Sequence, residues 1–184
     1  VLLSVFLSII AKQGFIFSCF LCEDINFSVE RTMNIAIFAS CNLKRNMQKI
    51  SERVFYVGVN DVEKELFEGL WPLPYGVSYN SYLVVDEKVA LVDTVECGFE
   101  DEYLRNIEDV LGDRQIDYLV VNHMEPDHSS LVAYMLDRYP GLQIIANAKT
   151  VPMLKGYYGT PEDRIHVVKE GDTLSLGSCT LSFH

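Results

Sequence analysis

The order of hydrophobic patterns along the chain predicts an α+β (mixed α/β) fold, a mixed sheet with helices packed over it. Three observations carry that prediction. Residues 79–85 and 89–93 are β-rich runs joined by the polar Asp86-Glu87-Lys88, the pattern of a hairpin. From residue 99 to residue 168, helical and strand periodicities then alternate. Two further β-rich runs close the chain, separated by Gly177-Ser178.

Taken in order, residues 54–59 alternate as a half-buried strand ahead of the hairpin. Phe99, Tyr103, Leu104, Ile107, Val110 and Leu111 recur at helical spacing, and Gly112 supplies a C-terminal stop. Residues 117–122 (DYLVVN) form a short, nearly continuous apolar run, as in strands buried on both faces. Residues 129–139 read as a helix ended by Pro140-Gly141, and 142–146 as the next strand. Residues 150–157 read as a short helix with Thr150 at its N-cap and Pro152 in its first turn. Strands follow at 165–168, 173–176 and 179–183.

At 49% hydrophobic and 22% charged, the 184-residue chain can bury a core and is not a disordered polymer. Its 26 acidic and 15 basic residues give a net charge of -11, which argues against nucleic acid or an anionic membrane as main partner. The five cysteines are too scattered for a disulfide framework, which points to a reducing, cytoplasmic compartment. Cys97 and Cys179 have no neighbour in sequence that would activate a thiolate.

Residues 1–46 form an uncertain leader. They are read as non-native translation upstream of a start at Met33 or Met47, as a membrane anchor over residues 1–22, or as an extra strand or helix. No periodicity in them completes the later sheet, and Cys19-x-x-Cys22 is read as a chance pair. Residues 47–184 are the globular part. The last strand pattern stops at His184 without a cap or polar tail, which reads as a truncated domain.

The chemistry is concentrated between the buried strand and the following helix, in His123-Met124-Glu125-Pro126-Asp127-His128. Four side chains of metal-ligand type fall within six residues. His123 and Glu125, two apart, project to one side in extended geometry and can grip one ion. Pro126 bends the chain so that Asp127 and His128 can turn toward a second. Mixed imidazole and carboxylate donors suit Fe, Zn or Mn. The bland alternative is a strand-to-helix turn in which Asp127 only caps the helix. His166 is read as a structural strand residue, and His184 as a strand residue without a metal role. Asp93 is either a support for a ligand or a buried structural acid.

His-x-Glu-x-Asp-His resembles the metal loop of the metallo-β-lactamase fold, and its glutamate version resembles the flavodiiron proteins (A-type flavoproteins). The segments Gly76-Val77-Ser78-Tyr79-Asn80-Ser81-Tyr82, Val89-Ala90-Leu91-Val92-Asp93-Thr94 and Gly171-Asp172-Thr173 are similar to that family as well, over about residues 47–184. The resemblance implies the N-terminal half of a metallo-β-lactamase-like four-layer αββα sandwich. It also implies a non-haem di-iron site, with His123 and Glu125 on one iron and Asp127 and His128 on the other. It implies reduction of dioxygen to water or of nitric oxide to nitrous oxide. FMN in a flavodoxin-like C-terminal domain, outside these residues, would deliver electrons from a rubredoxin-like donor. The assembly would be a head-to-tail homodimer or a homotetramer. No catalytic residue beyond the metal ligands, and no FMN-binding residue, is expected in this chain. Glu125 favours a redox metal over a zinc-bound hydroxide. Two other readings stay open: a zinc-dependent hydrolase of the same fold, and an inactive truncated product. In the last, no second sheet covers residues 117–122 and their neighbours, and their apolar face stays unburied.

Overall fold

The structure, a computed structural model, describes residues 7–11, 16–18, 48–67 and 69–184. In chain order its strands begin with β1 (Leu7–Ala11), β2 (Ile16–Ser18), β3 (Gln48–Lys49), β4 (Val54–Tyr56) and β5 (Val59–Asp61). They continue with β6 (Leu66–Phe67), β7 (Trp71–Pro72), β8 (Val77–Tyr79), β9 (Tyr82–Val85) and β10 (Val89–Val92). Then follow α1 (Glu100–Leu111), β11 (Tyr118–Val120), α2 (Pro126–Ser129), α3 (Val132–Arg138) and β12 (Gln143–Asn147). The last elements are α4 (Val151–Tyr158), β13 (Ile165–Val168), β14 (Thr173–Ser175) and β15 (Cys179–Phe183).

Seven of the described strands form the main sheet, in the order β13-β12-β11-β10-β9-β4-β3. Strands β10 to β13 run parallel because a helical crossover separates each from the next, whereas β9 and β4 join by antiparallel pairing. All four residues of the central strand β10 are buried, which is why its sequence, VALV, shows no alternation. One face of the sheet packs Leu83, Leu91, Leu119 and Ile144 against Tyr103 and Ile107 of α1, Met135 of α3 and Leu154 of α4. The opposite face packs Val84, Val92, Val120 and Ile145 against Leu176, Cys179, Leu181 and Phe183.

That second contact corrects the expectation of an unburied face. Strand β15 alternates strictly, with Cys179, Leu181 and Phe183 buried, and so presents one apolar edge to the main sheet. It belongs to a second sheet in the order β14-β15-β1-β2. Two strands from the segment read as a leader thus extend this sheet, with Leu7 opposite Phe183 and Ala11 opposite Cys179. Their lack of alternation hid this, because antiparallel pairing is made by the backbone. Cys19-x-x-Cys22 and the rest of that segment lie outside the described residues. No helix among the described residues is long and apolar enough to cross a membrane.

Three elements differ from their sequence patterns. The run 54–59 splits at Gly58, where an added Cβ would sit 2.2 Å from the Tyr79 carbonyl oxygen. The chain leaves the main sheet at that close crossing, and β5 pairs with β8 instead. The run 79–85 splits at Asn80-Ser81 into β8 and β9. The helix expected from residue 129 begins at Pro126, breaks, and resumes at Val132.

The two layers are clasped at their turns. The buried Asp86 carboxylate accepts from the Cys179 amide at 2.6 Å and the Ser178 hydroxyl at 2.9 Å, and pairs with the Arg53 guanidinium. The Lys88 amide donates to the Leu176 carbonyl at 2.9 Å. Gly177 takes φ +124, which L side chains rarely adopt, and a Cβ there would crowd the Glu87 side chain at 2.8 Å. Burial opposes ionisation of Asp86, but the Cys179 and Ser178 hydrogen bonds and Arg53 outweigh it and hold its pKa down to about 2. The folded pKa lies below the unfolded value of about 3.9, so this stabilisation is complete above that value and fades as pH falls toward the folded one. Asp86→Ala is expected to lower unfolding free energy by about 2 kcal/mol near neutral pH. Urea denaturation should show the gap between wild type and variant narrowing in acid.

Candidate metal centre

Strands β10 and β11 end side by side, with Val92 opposite Val120, so the segments that follow them leave one edge of the sheet together. Asp93, directly after β10, adopts φ +54, a left-handed conformation costing a non-glycine residue about 1–2 kcal/mol. Three hydrogen bonds hold it there. Its amide donates to the Val120 carbonyl at 2.9 Å, and its carbonyl accepts from Ser81 Oγ at 3.0 Å and Tyr103 Oη at 3.1 Å.

The turn aims the Asp93 carboxylate at the loop after β11. Its Oδ1 accepts from the amides of Asn122 at 2.7 Å and His123 at 3.2 Å. Thr94 takes the loop's far end, its amide and Oγ1 donating to the His128 carbonyl at 2.8 and 2.9 Å. Burial pushes the Asp93 pKa up to about 7; the two amides pull it down, and the charge of Asp127 adds to the rise. Of the two roles open for Asp93, the structure shows it both buried and supporting the backbone of His123.

Glu125 has extended backbone and stands at the N-cap of α2, with Pro126 in its first turn. Asp127 and His128 are therefore carried on a helical turn, with Glu125 and not Asp127 in the N-cap position. The four candidate residues come together. His123 Nε2 lies 3.5 Å from Glu125 Oε2 and 3.9 Å from Asp127 Oδ1, while Asp127 Oδ2 lies 3.7 Å from His128 Nε2. The rings of His123 and His128 meet edge to face, their centroids 5.4 Å apart. One ligand atom each from His123, Glu125 and Asp127 falls within a 4.8 Å group. His128 joins through Asp127, whose two oxygens face the two imidazoles.

This donor set fits a cation. Glu125 and Asp127 form ion pairs with these imidazoles, and no Lys or Arg among the described residues bridges the carboxylates. His128 offers this set its Nε2, the ring nitrogen that faces Asp127 Oδ2 at 3.7 Å. Burial lowers the His128 pKa against the upward pull of Asp127, which favours the neutral ring that binds metal. His184, after β15, stands outside this group, and His166 is exposed on β13. Cys97 and Cys179 are free thiols, and burial, with Asp86 nearby, raises the Cys179 pKa.

A family model described as ODP family beta lactamase matches residues 77–184. The chain belongs to that family. This ODP-family chain is 38% identical over 130 residues to the flavo-diiron protein FprA2 of Clostridium acetobutylicum, covering 71% of itself and 32% of that protein. It is 35% identical over 130 residues to an anaerobic nitric oxide reductase flavorubredoxin of Aliivibrio fischeri, covering 70% of itself and 26% of the relative. Among solved structures it resembles rubredoxin oxygen:oxidoreductase from Desulfovibrio gigas, at TM-score 0.69 and 34% identity, over 73% of this chain and 33% of that one. The chain thus spans about a third or less of the length of these relatives.

In this ODP-family chain the supports leave a fainter mark in the sequence than the candidate ligands. Ser81, Thr94 and Tyr103 lie in ordinary strand and helix patterns, and only the short polar step Asp93-Thr94 after a buried strand marks the place. Thr94→Val removes one of two bonds to the His128 carbonyl and keeps the side-chain shape. It is expected to weaken Co(II) binding about fivefold with the far-UV circular dichroism unchanged, as a competitive chelator titration would read.

Proposed function

We propose that this chain carries ligands of a non-haem di-iron centre, and that the whole protein reduces dioxygen to water or nitric oxide to nitrous oxide. The observation that carries the proposal is the convergence of His123, Glu125, Asp127 and His128 at the sheet edge, with a glutamate among the imidazoles. In this reading His123 and Glu125 serve one iron, and Asp127 and His128 the other. A di-iron pair held by these four residues would supply two-electron redox chemistry toward a diatomic substrate, which zinc lacks.

The chain's own residues prepare that chemistry. Asp93 and Thr94 hold the loop ends, and α2 orients Asp127 and His128. The low accessibility of Asp127 and His128, 16% and 18%, limits water around them. The flavo-diiron, flavorubredoxin and rubredoxin oxygen:oxidoreductase relatives named above support FMN as electron source and a rubredoxin-like donor. A head-to-tail dimer or a tetramer and a cytoplasmic location complete the proposal and rest on the sequence resemblance alone. Replacing a carboxylate by an imidazole makes the set softer and less anionic. Glu125→His is therefore expected to shift metal content from iron toward zinc and to lower reductase turnover. Elemental analysis and gas-electrode assays on wild type and variant, purified side by side, check this. Unchanged iron content with unchanged turnover would sink the claim that Glu125 selects the metal.

A further inference from the structure

Glu125 is the most exposed of the four candidate ligands, with 56% of its side chain accessible. Its carboxylate comes only within 3.5 Å of His123 Nε2, at the outer limit of a hydrogen bond. Its direction of entry therefore depends on its backbone. The Glu125 carbonyl accepts from the amides of His128 at 2.9 Å and Ser129 at 3.0 Å. Ser129 Oγ reaches the carbonyls of both Met124 and Glu125, each at 2.9 Å.

Ser129 is fully buried, so no solvent supplies its partners. A serine hydroxyl has one proton to give. With that proton shared between the two carbonyls, which can only accept, none is left for Tyr158 Oη, 2.7 Å away, so Tyr158 must be the donor of that contact. The order is then Tyr158 donating to Ser129, and Ser129 donating to the loop. Tyr158 has firm support: it ends α4, which is anchored by the fully buried Leu154 and closed by left-handed Gly159. We propose that Tyr158 is a positioning residue for the candidate metal centre, acting through Ser129 on the Met124 and Glu125 carbonyls to set the direction from which Glu125 approaches a metal. This inference rests on the metal-centre reading and adds a residue 33 positions from Glu125 in sequence.

Tyr158→Phe removes the hydroxyl and keeps the ring, and Tyr157→Phe, at a 73% exposed neighbour, is the control. Titration of the full chain with Co(II), followed by its d–d absorption and by chelator competition, reads both affinity and ligand geometry. Tyr158→Phe is expected to weaken Co(II) binding about fivefold and to shift the d–d bands, while Tyr157→Phe matches wild type. Wild-type affinity and bands in Tyr158→Phe would overturn the proposal. So would weaker binding with unshifted bands and a matching fall in melting temperature, the mark of a merely structural role. Co(II) binding that survives His123→Ala unchanged would sink the metal-centre reading itself, and the inference with it.

Discussion

Two consecutive residues, Asp93 and Thr94, grip the ligand loop at both ends, and the arrangement of His123 to His128 depends on that grip. The left-handed turn at Asp93 is unfavourable by about 1–2 kcal/mol. A buried hydrogen bond contributes about 1 kcal/mol net, and leaving one unmade costs more. With bonds from Ser81 and Tyr103 to the Asp93 carbonyl, and bonds from Asn122 and His123 to its carboxylate, the balance lies with the strained form. The grip in turn requires the parallel register of β10 and β11, because Asp93 reaches the loop only when Val92 stands opposite Val120.

The cluster it holds is uneven. Asp127 and His128 are largely enclosed, whereas His123 and Glu125 face solvent at 37% and 56% accessibility. Enclosure strengthens the interaction of a carboxylate with a cation, and exposure eases exchange of whatever occupies the remaining positions. Glu125 therefore stands on the solvent-facing side of the candidate site.

Much of this was legible in the sequence. The four candidate ligands lie within six residues, so their proximity follows from local chain geometry and needs no tertiary information. The helices and central strands were legible for a related reason, since the alternation of β15 and the spacing of Tyr103 and Ile107 record the faces they bury. The illegible parts arise from contacts between distant segments. Gly58 breaks a strand because the Tyr79 carbonyl passes it, and β1 pairs with β15 through backbone groups that leave no mark on side-chain pattern. Ser81, Tyr103 and Tyr158 look like ordinary strand and helix residues until the fold places their hydroxyls.

The clasp between the turns also bears on how the protein opens. Asp86 holds the Cys179 amide, and the Lys88 amide holds the Leu176 carbonyl, so the outer hairpin is bound to the main sheet by main-chain groups as well as by apolar packing. Peeling that hairpin away would expose the Asp86 carboxylate and the apolar faces of Val84, Val92 and Val120 in the same step. Local fraying of β14 and β15 is thereby coupled to loss of the central strands. The outer hairpin and the main sheet are thus built to open together, which would give the Cys179 amide an exchange protection close to that of the β10 amides.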